Sequence, residues 1–165
     1  MRGGIVYEER IVSRVMVIVF LLVLSLLLIM LLYFLSLPGE TVEWVIMMYL
    51  SLILLFIFIG FNFSIFAITV TPDNLIIHFG MFKKKIKWAD IKNCKIIEAS
   101  WTKFGGLGIR VTKMDGKTTL AYVVEGSTKI ALEIVGHKYQ MFVFSTRKPE
   151  ELMNIIRQKV ELHRA

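Results

Sequence analysis

The side chains in this chain that could do chemistry are chiefly ones that could meet an anion. Lys83, Lys84, Lys85 and Lys87 stand within five positions. Side chains alternate between faces along a strand. This spacing therefore puts Lys83, Lys85 and Lys87 on one face and Lys84, Ile86 and Trp88 on the other. Three ammonium groups on one side of a strand suit a phosphate-bearing surface, where each basic residue contributes about 1 kcal/mol. The same pattern also suits a solvated face, or an edge strand that uses lysine to discourage pairing.

No other group of residues has a reactive spacing. His78, His137 and His163 fall in a strand, a turn and a helix end, and no pair has metal-ligand spacing. Asp73, Asp90 and Asp115 sit in turn-like positions, and Ser64, Ser100, Ser127 and Ser145 have no nucleophile motif around them. Gly105-Gly106-Leu107-Gly108 is neither G-x-G-x-x-G nor a P-loop and leads into a strand, so a flexible entry or bulge is expected. The flanking Trp101 and Phe104 are expected to pack on the domain rather than form a binding lip. Cys94 is the single cysteine, which excludes an internal disulfide. We therefore expect no catalytic, cofactor or metal site, and no enzymatic activity.

The elements that must position the lysines begin with two long apolar runs. Val15–Leu35 and Val45–Phe61 contain no Asp, Glu, Lys, Arg or His. A helix rises about 1.5 Å per residue, so each run suffices for a hydrocarbon core of roughly 30 Å. Both are expected to be transmembrane spans, over about 15–35 and 44–61. The first exceeds the usual apolar stretch of a signal peptide, and no clear A-x-A site follows it. The linking segment is so short, with Pro38-Gly39 at its turn, that the spans must form an antiparallel hairpin. Small residues that would let helices approach closely are few, namely Ser25, Ser51 and Gly60, and there is no G-x-x-x-G.

Charge sets the expected orientation. Arg2, Arg10 and Arg14 precede the first span, the link carries Glu40 and Glu43, and Lys83 onward follow the second. The positive-inside rule then places both termini in the cytoplasm and the turn outside. Trp44 is expected as an interfacial anchor. Asn62-Phe63-Ser64 matches a glycosylation acceptor, which on the cytoplasmic side is a silent match at a helix-to-strand junction.

The chain divides accordingly into residues 1–62, a short N-terminal segment and the hairpin, and residues 63–165, a cytoplasmic domain. From residue 62 onward there are 17 Lys and Arg against 9 Asp and Glu. Beside a bilayer, the nearest anion is a lipid headgroup rather than nucleic acid. About eight short strands are expected between residues 63 and 145, with hairpins at Asp115-Gly116 and Gly136-His137. This reads as an antiparallel meander forming a sandwich or partly open barrel. A C-terminal helix follows from Pro149, with Leu152, Ile155, Ile156 and Val160 on its apolar face. The fold class expected is α+β.

Three segments resemble the bacterial pleckstrin-homology (PH) domains of small prokaryotic membrane proteins. They are Phe66-Ala67-Ile68-Thr69-Val70-Thr71-Pro72-Asp73-Asn74-Leu75-Ile76-Ile77, Ile86-Lys87-Trp88-Ala89-Asp90-Ile91, and Phe144-Ser145-Thr146-Arg147-Lys148-Pro149-Glu150-Glu151-Leu152. The resemblance implies a PH-like barrel or sandwich capped by one helix behind two membrane spans, and says little about ligand. The specific basic pattern by which eukaryotic PH domains hold inositol phosphates is not present. The function expected is a membrane-anchored adaptor or scaffold that contacts another membrane protein, a second copy of itself, or the anionic inner leaflet. The competing expectation is an accessory subunit of a larger membrane transport, secretion or envelope complex, with the spans as its interface.

Overall fold

A computed structural model describes residues 4–37 and 41–164. The Pro38-Gly39 turn and Arg2 lie outside the described residues. Strand β1 (Tyr7–Val12) leads into helix α1 (Arg14–Leu35), and helix α2 (Thr41–Ser64) leads into strand β2 (Ile65–Val70). Then follow β3 (Asn74–Phe79), β4 (Phe82–Lys87), β5 (Ile91–Ile97), β6 (Gly108–Met114), β7 (Lys117–Val123), β8 (Thr128–Ile134), β9 (Met141–Thr146) and α3 (Pro149–Leu162).

Both long helices form where uninterrupted Leu, Ile, Val, Phe and Met leave nothing to break them. Ser13 starts α1, its Oγ accepting the Met16 N–H at 3.2 Å. α2 runs three residues beyond the expected apolar end, because Asn62 and Ser64 return their side chains to the helix. Asn62 Nδ2 donates to the Phe58 carbonyl at 2.8 Å, and Ser64 Oγ to that of Gly60 at 2.6 Å. The helices pack along each other through Phe20 stacked on Phe56 and through Phe34 against Tyr49. Gly60 receives the Phe20 ring directly, and a Cβ there would lie 2.2 Å from it. The small residue most suited to an intermolecular helix contact is thus occupied within the chain. Ser25 and Ser51 bond to their own helix carbonyls.

Strand β1 was not expected. It pairs antiparallel with β2, from Tyr7 opposite Val70 to Val12 opposite Ile65, and the pairing continues as Ser13 N–H donates to the Ser64 carbonyl at 3.1 Å. The helical hairpin is therefore inserted at the tip of a β-hairpin, with both of its ends entering the β-domain side by side. No linker separates helix from strand at either junction.

Among the described residues nine strands form two sheets, β1-β2-β3-β4 and β5-β8-β9-β7-β6. They are not closed into a barrel, and the order is not a plain meander. Strand β9 lies between β8 and β7, and pairs with β7 in parallel, from Thr119 opposite Met141 to Tyr122 opposite Phe144. The sheets face one another across one core. Ile11, Phe66, Ile68, Leu75, Ile77 and Phe79 of the first meet Leu120, Tyr122, Ile130, Leu132, Phe142 and Phe144 of the second. Phe79 stacks on Tyr122 at 6.0 Å between centroids, joining the layers. Where a barrel would close by backbone pairing, side chains do it instead. Glu9 on β1 accepts Thr146 Oγ1 at 2.6 Å and the Arg147 N–H at 2.7 Å.

α3 covers one end of the core with Leu152, Met153, Ile156 and Val160 buried. Met153 takes the buried place expected for Ile155, which is only half-buried. The β6–β7 turn is as expected, with Asp115 and Gly116 both at positive φ (51° and 76°) in a two-residue hairpin. The glycine-rich stretch does turn the chain into a strand. Phe104 is buried against the outer face of the second sheet, with Ala121, Val123, Ala131 and Val143. Trp101 remains half-exposed.

Candidate functional site

The lysine-bearing strand β4 is the edge of the first sheet, paired with β3 from Asn74 opposite Lys87 to Phe79 opposite Phe82. Its alternation is real. Ile86 and Trp88 are buried, Lys84 is half-buried over the core side, and Lys83, Lys85 and Lys87 are exposed on the outer face. Trp88 is held in place by its indole N–H donating to the Thr71 carbonyl at 3.1 Å. None of these four lysines has an ion-pair partner among the described residues.

The sheet register brings further cations to the same face. Arg10 lies opposite Ala67, Ala67 opposite His78, and His78 opposite Lys83. This row crosses all four strands two residues from the helix junctions. The His78 imidazole is held below its ordinary range, first by burial and then by repulsion from Lys83 and Arg10, with the Gly80 backbone and Glu8 acting in the opposite sense. Its Nδ1 is buried without a hydrogen-bond partner among the described residues. Arg10 pairs with Glu8 at 2.7 Å, an exposed contact that contributes little. Neither Arg10 nor His78 was legible as part of the face, since only sheet pairing across the helical hairpin puts them beside Lys83.

Two side chains lock the helices to the β-domain. Glu125, at the end of β7, accepts Ser13 Oγ at 2.6 Å and the Val15 N–H at 3.0 Å. A carboxylate thus sits at the N-terminus of α1, where the helix dipole favours it. Burial pushes the Glu125 carboxyl up, but the hydrogen bonds from Ser13 and from backbone N–H groups outweigh it and leave it below its usual range. On the other helix, Asn62 is 4% exposed and its Oδ1 accepts the Met81 N–H at 3.0 Å. Gly80 presses on the same residue at φ 48°, and a Cβ there would lie 2.6–2.8 Å from Asn62 atoms. The Asn62 amide is thereby committed to holding the β3–β4 turn on α2, not displayed as a glycosylation acceptor.

Apolar surface surrounds these locks. α1 has no buried residue. A helix that is hydrophobic all round is ordinarily buried in a core or in a bilayer, yet Leu22, Leu32, Leu54 and Phe61 are each more than three-fifths exposed. Trp44, near the start of α2 and remote from the β-domain, is 83% exposed. Met81 and Phe82 at the β3–β4 tip are 69% and 49% exposed. These two residues were missed in the sequence, although apolar side chains in and beside a two-residue turn are unusual and could have drawn notice.

Elsewhere, His137 Nε2 lies 3.0 Å from Asp90 Oδ2, and Lys117 pairs with Glu133 at 2.7 Å. Lys117, Glu133 and His137 line a shallow polar cleft. Among the described residues no group of three His, Cys, Asp or Glu could hold a metal ion. Comparison with family models, curated proteins and solved structures gives no match to this chain.

Proposed function

We propose that this chain is a non-enzymatic, membrane-anchored adaptor, in which a two-helix transmembrane hairpin holds a basic β-sandwich against the anionic cytoplasmic leaflet. The observation that carries this reading is the insertion of the helical hairpin into the β1–β2 pairing. With no linker at either junction, the outer face of the first sheet has one fixed attitude to the helix ends. Lys83, Lys85, Lys87, Arg10 and His78 then stand where a headgroup layer would lie. The length and apolar composition of the two exposed helices support the spanning arrangement, and the distribution of Arg and Lys supports cytoplasmic termini. At the far end, Trp44 suits an interfacial anchor.

The PH-like reading of the β-domain rests on two stacked sheets capped by a C-terminal helix. The parallel β7–β9 pair is its main departure from a simple meander. The protein that such an adaptor would bring to the membrane is another membrane protein or a second copy of this chain.

The experiment uses the full chain, because residues 62–165 alone lack strand β1. Crosslinking in native membranes, purification in mild detergent, and analysis of the lipid and protein retained are compared for the wild type and Lys83/Lys85/Lys87→Glu. The proposal expects anionic lipid to be retained by the wild type and depleted in the variant. Equal anionic lipid in both would remove the basic face from the account. A partner captured at fixed stoichiometry with either protein would instead favour an accessory subunit of a larger complex.

A further inference from the structure

The exposed β3–β4 tip does more than mark the edge of the sandwich. Between it and α2 lies an open cleft of about 470 Å³, lined by Leu54, Ile57, Phe58, Phe61 and Met81, with Asn62 at its end. From Leu54 to Asn62 the cleft follows α2 for about 12 Å at the helical rise. It therefore runs from the β-domain down the flank of the apolar helix. Its one polar side chain is 4% exposed and bonded at both ends within the protein. The Asn62 amide nitrogen is donated to Phe58 and its oxygen is taken by Met81. The wall cannot collapse onto α2 either, because Gly80 already touches the Asn62 backbone.

We infer that this cleft is a phospholipid site: one acyl chain lies along α2 under Met81, and the anionic phosphate meets Lys83. Two features select a lipid over a peptide or soluble ligand. The cleft is continuous with the exposed apolar surface of α2, so whatever surrounds that helix also fills it. The strand leaving the cleft carries Lys83 two residues beyond Met81, on an edge whose lysines have no ion-pair partner among the described residues. An apolar slot with a lysine on the strand that leaves it matches the two ends of an acidic phospholipid. Met81 would make the tip a third element dipping into the bilayer, beside the two helices. The inference rests on the transmembrane reading of those helices.

The test uses the full chain in nanodiscs and phospholipids brominated on the acyl chain as contact quenchers. Met81→Trp is placed on a Trp44→Phe/Trp101→Phe background, in which the remaining Trp88 is buried. Phe61→Trp is a second reporter on the same cleft, and Val135→Trp, 60% exposed after β8, is the aqueous control. Strong quenching is expected at both cleft positions and little at Val135. Brominated phosphatidylglycerol should act at about fivefold lower mole fraction than brominated phosphatidylcholine, the preference one basic residue near the surface confers. Lys83→Gln should erase that preference. Quenching at both cleft positions no greater than at Val135 would overturn the site, and equal action of the two lipids would overturn its anionic half. Trp44 as the one exposed tryptophan of a Trp101→Phe chain separates a failed lipid site from a failed transmembrane reading. If Trp44 is quenched and the cleft reporters are not, the helices span and the lipid site is wrong. If none is quenched, the transmembrane reading fails with it.

Discussion

If the first sheet stands on the helix ends, its lysines cannot contribute equally. The strands leave the helices at the Val12–Ile65 pair, and β4 runs from Phe82, at the helix-proximal turn, to Lys87. At about 3.3 Å per residue, Lys85 lies about 7 Å and Lys87 about 13 Å farther along the strand than Lys83. The screening length at physiological salt is about 8 Å. Taking about 1 kcal/mol for Lys83, the same charge is worth about 0.4 kcal/mol at Lys85 and about 0.2 kcal/mol at Lys87. Substitution by Glu removes one positive charge and adds one negative, so each effect doubles. Lys83→Glu should reduce the preference of the full chain for phosphatidylglycerol over phosphatidylcholine by about 30-fold, Lys85→Glu by about 4-fold and Lys87→Glu by about 2-fold. The assay is competition between spin-labelled lipids for the protein's lipid shell at physiological salt, repeated at 1 M salt, where all three differences should shrink. Three equal effects, or the largest at Lys87, would refute the reasoning, because they would mean that the sheet does not stand with its turn towards the headgroups.

The junctions and the buried histidine yield further expectations, each measured by chemical denaturation of the full chain in detergent. Gly80→Ala should cost more than the roughly 1–2 kcal/mol of a left-handed alanine, because its Cβ also strikes Asn62. Gly116→Ala, at φ 76° with open space around it, should cost only the conformational part; equal losses would dismiss the Asn62 contact. Glu125→Gln should lose about 1–2 kcal/mol at neutral pH by weakening the cap on α1. Since the folded carboxyl is held low, that difference should fade as pH drops below the unfolded carboxylate value of about 4.3. His78 works at higher pH. Its folded pKa is lowered, so the unfolded chain binds more protons, and stability should fall as pH drops through about 6.5. His78→Gln, on the face shared with Arg10, Lys83 and Glu8, should remove that part of the pH dependence; an unchanged profile would assign it elsewhere.

What could be read from the residues was whatever depends on near neighbours. The apolar runs, the alternation of Lys83 to Trp88, the Asp115-Gly116 turn and the start of α3 at Pro149 all rest on local periodicity or turn chemistry, and the structure has them. The basic face was legible only in part, because Lys83, Lys85 and Lys87 share one strand while Arg10 joins them through pairing across the whole helical hairpin. Strand β1 was hidden for the same reason: Tyr-Glu-Glu-Arg-Ile-Val has two glutamates and an arginine in six residues, and its partner lies beyond α2. Its alternation still buries Ile11 in the core, and Glu9 turns inward to serve as a latch. The parallel β7–β9 contact is likewise set by where a hairpin docks, which no turn residue encodes. Asn62 reads as a chance sequon and Glu125 belongs to no motif, yet each is committed to a helix end by contacts remote in sequence or at a turn.

The account stands or falls on whether the helical hairpin crosses the membrane with the β-domain on the cytoplasmic side. Labelling with a membrane-impermeant maleimide decides it, using Gly39→Cys in a Cys94→Ser background and the wild type with its native Cys94, which is partly accessible. Gly39→Cys should react in intact cells, and Cys94 only after permeabilisation. Labelling of Cys94 in intact cells, or of Gly39→Cys only after permeabilisation, would contradict that topology.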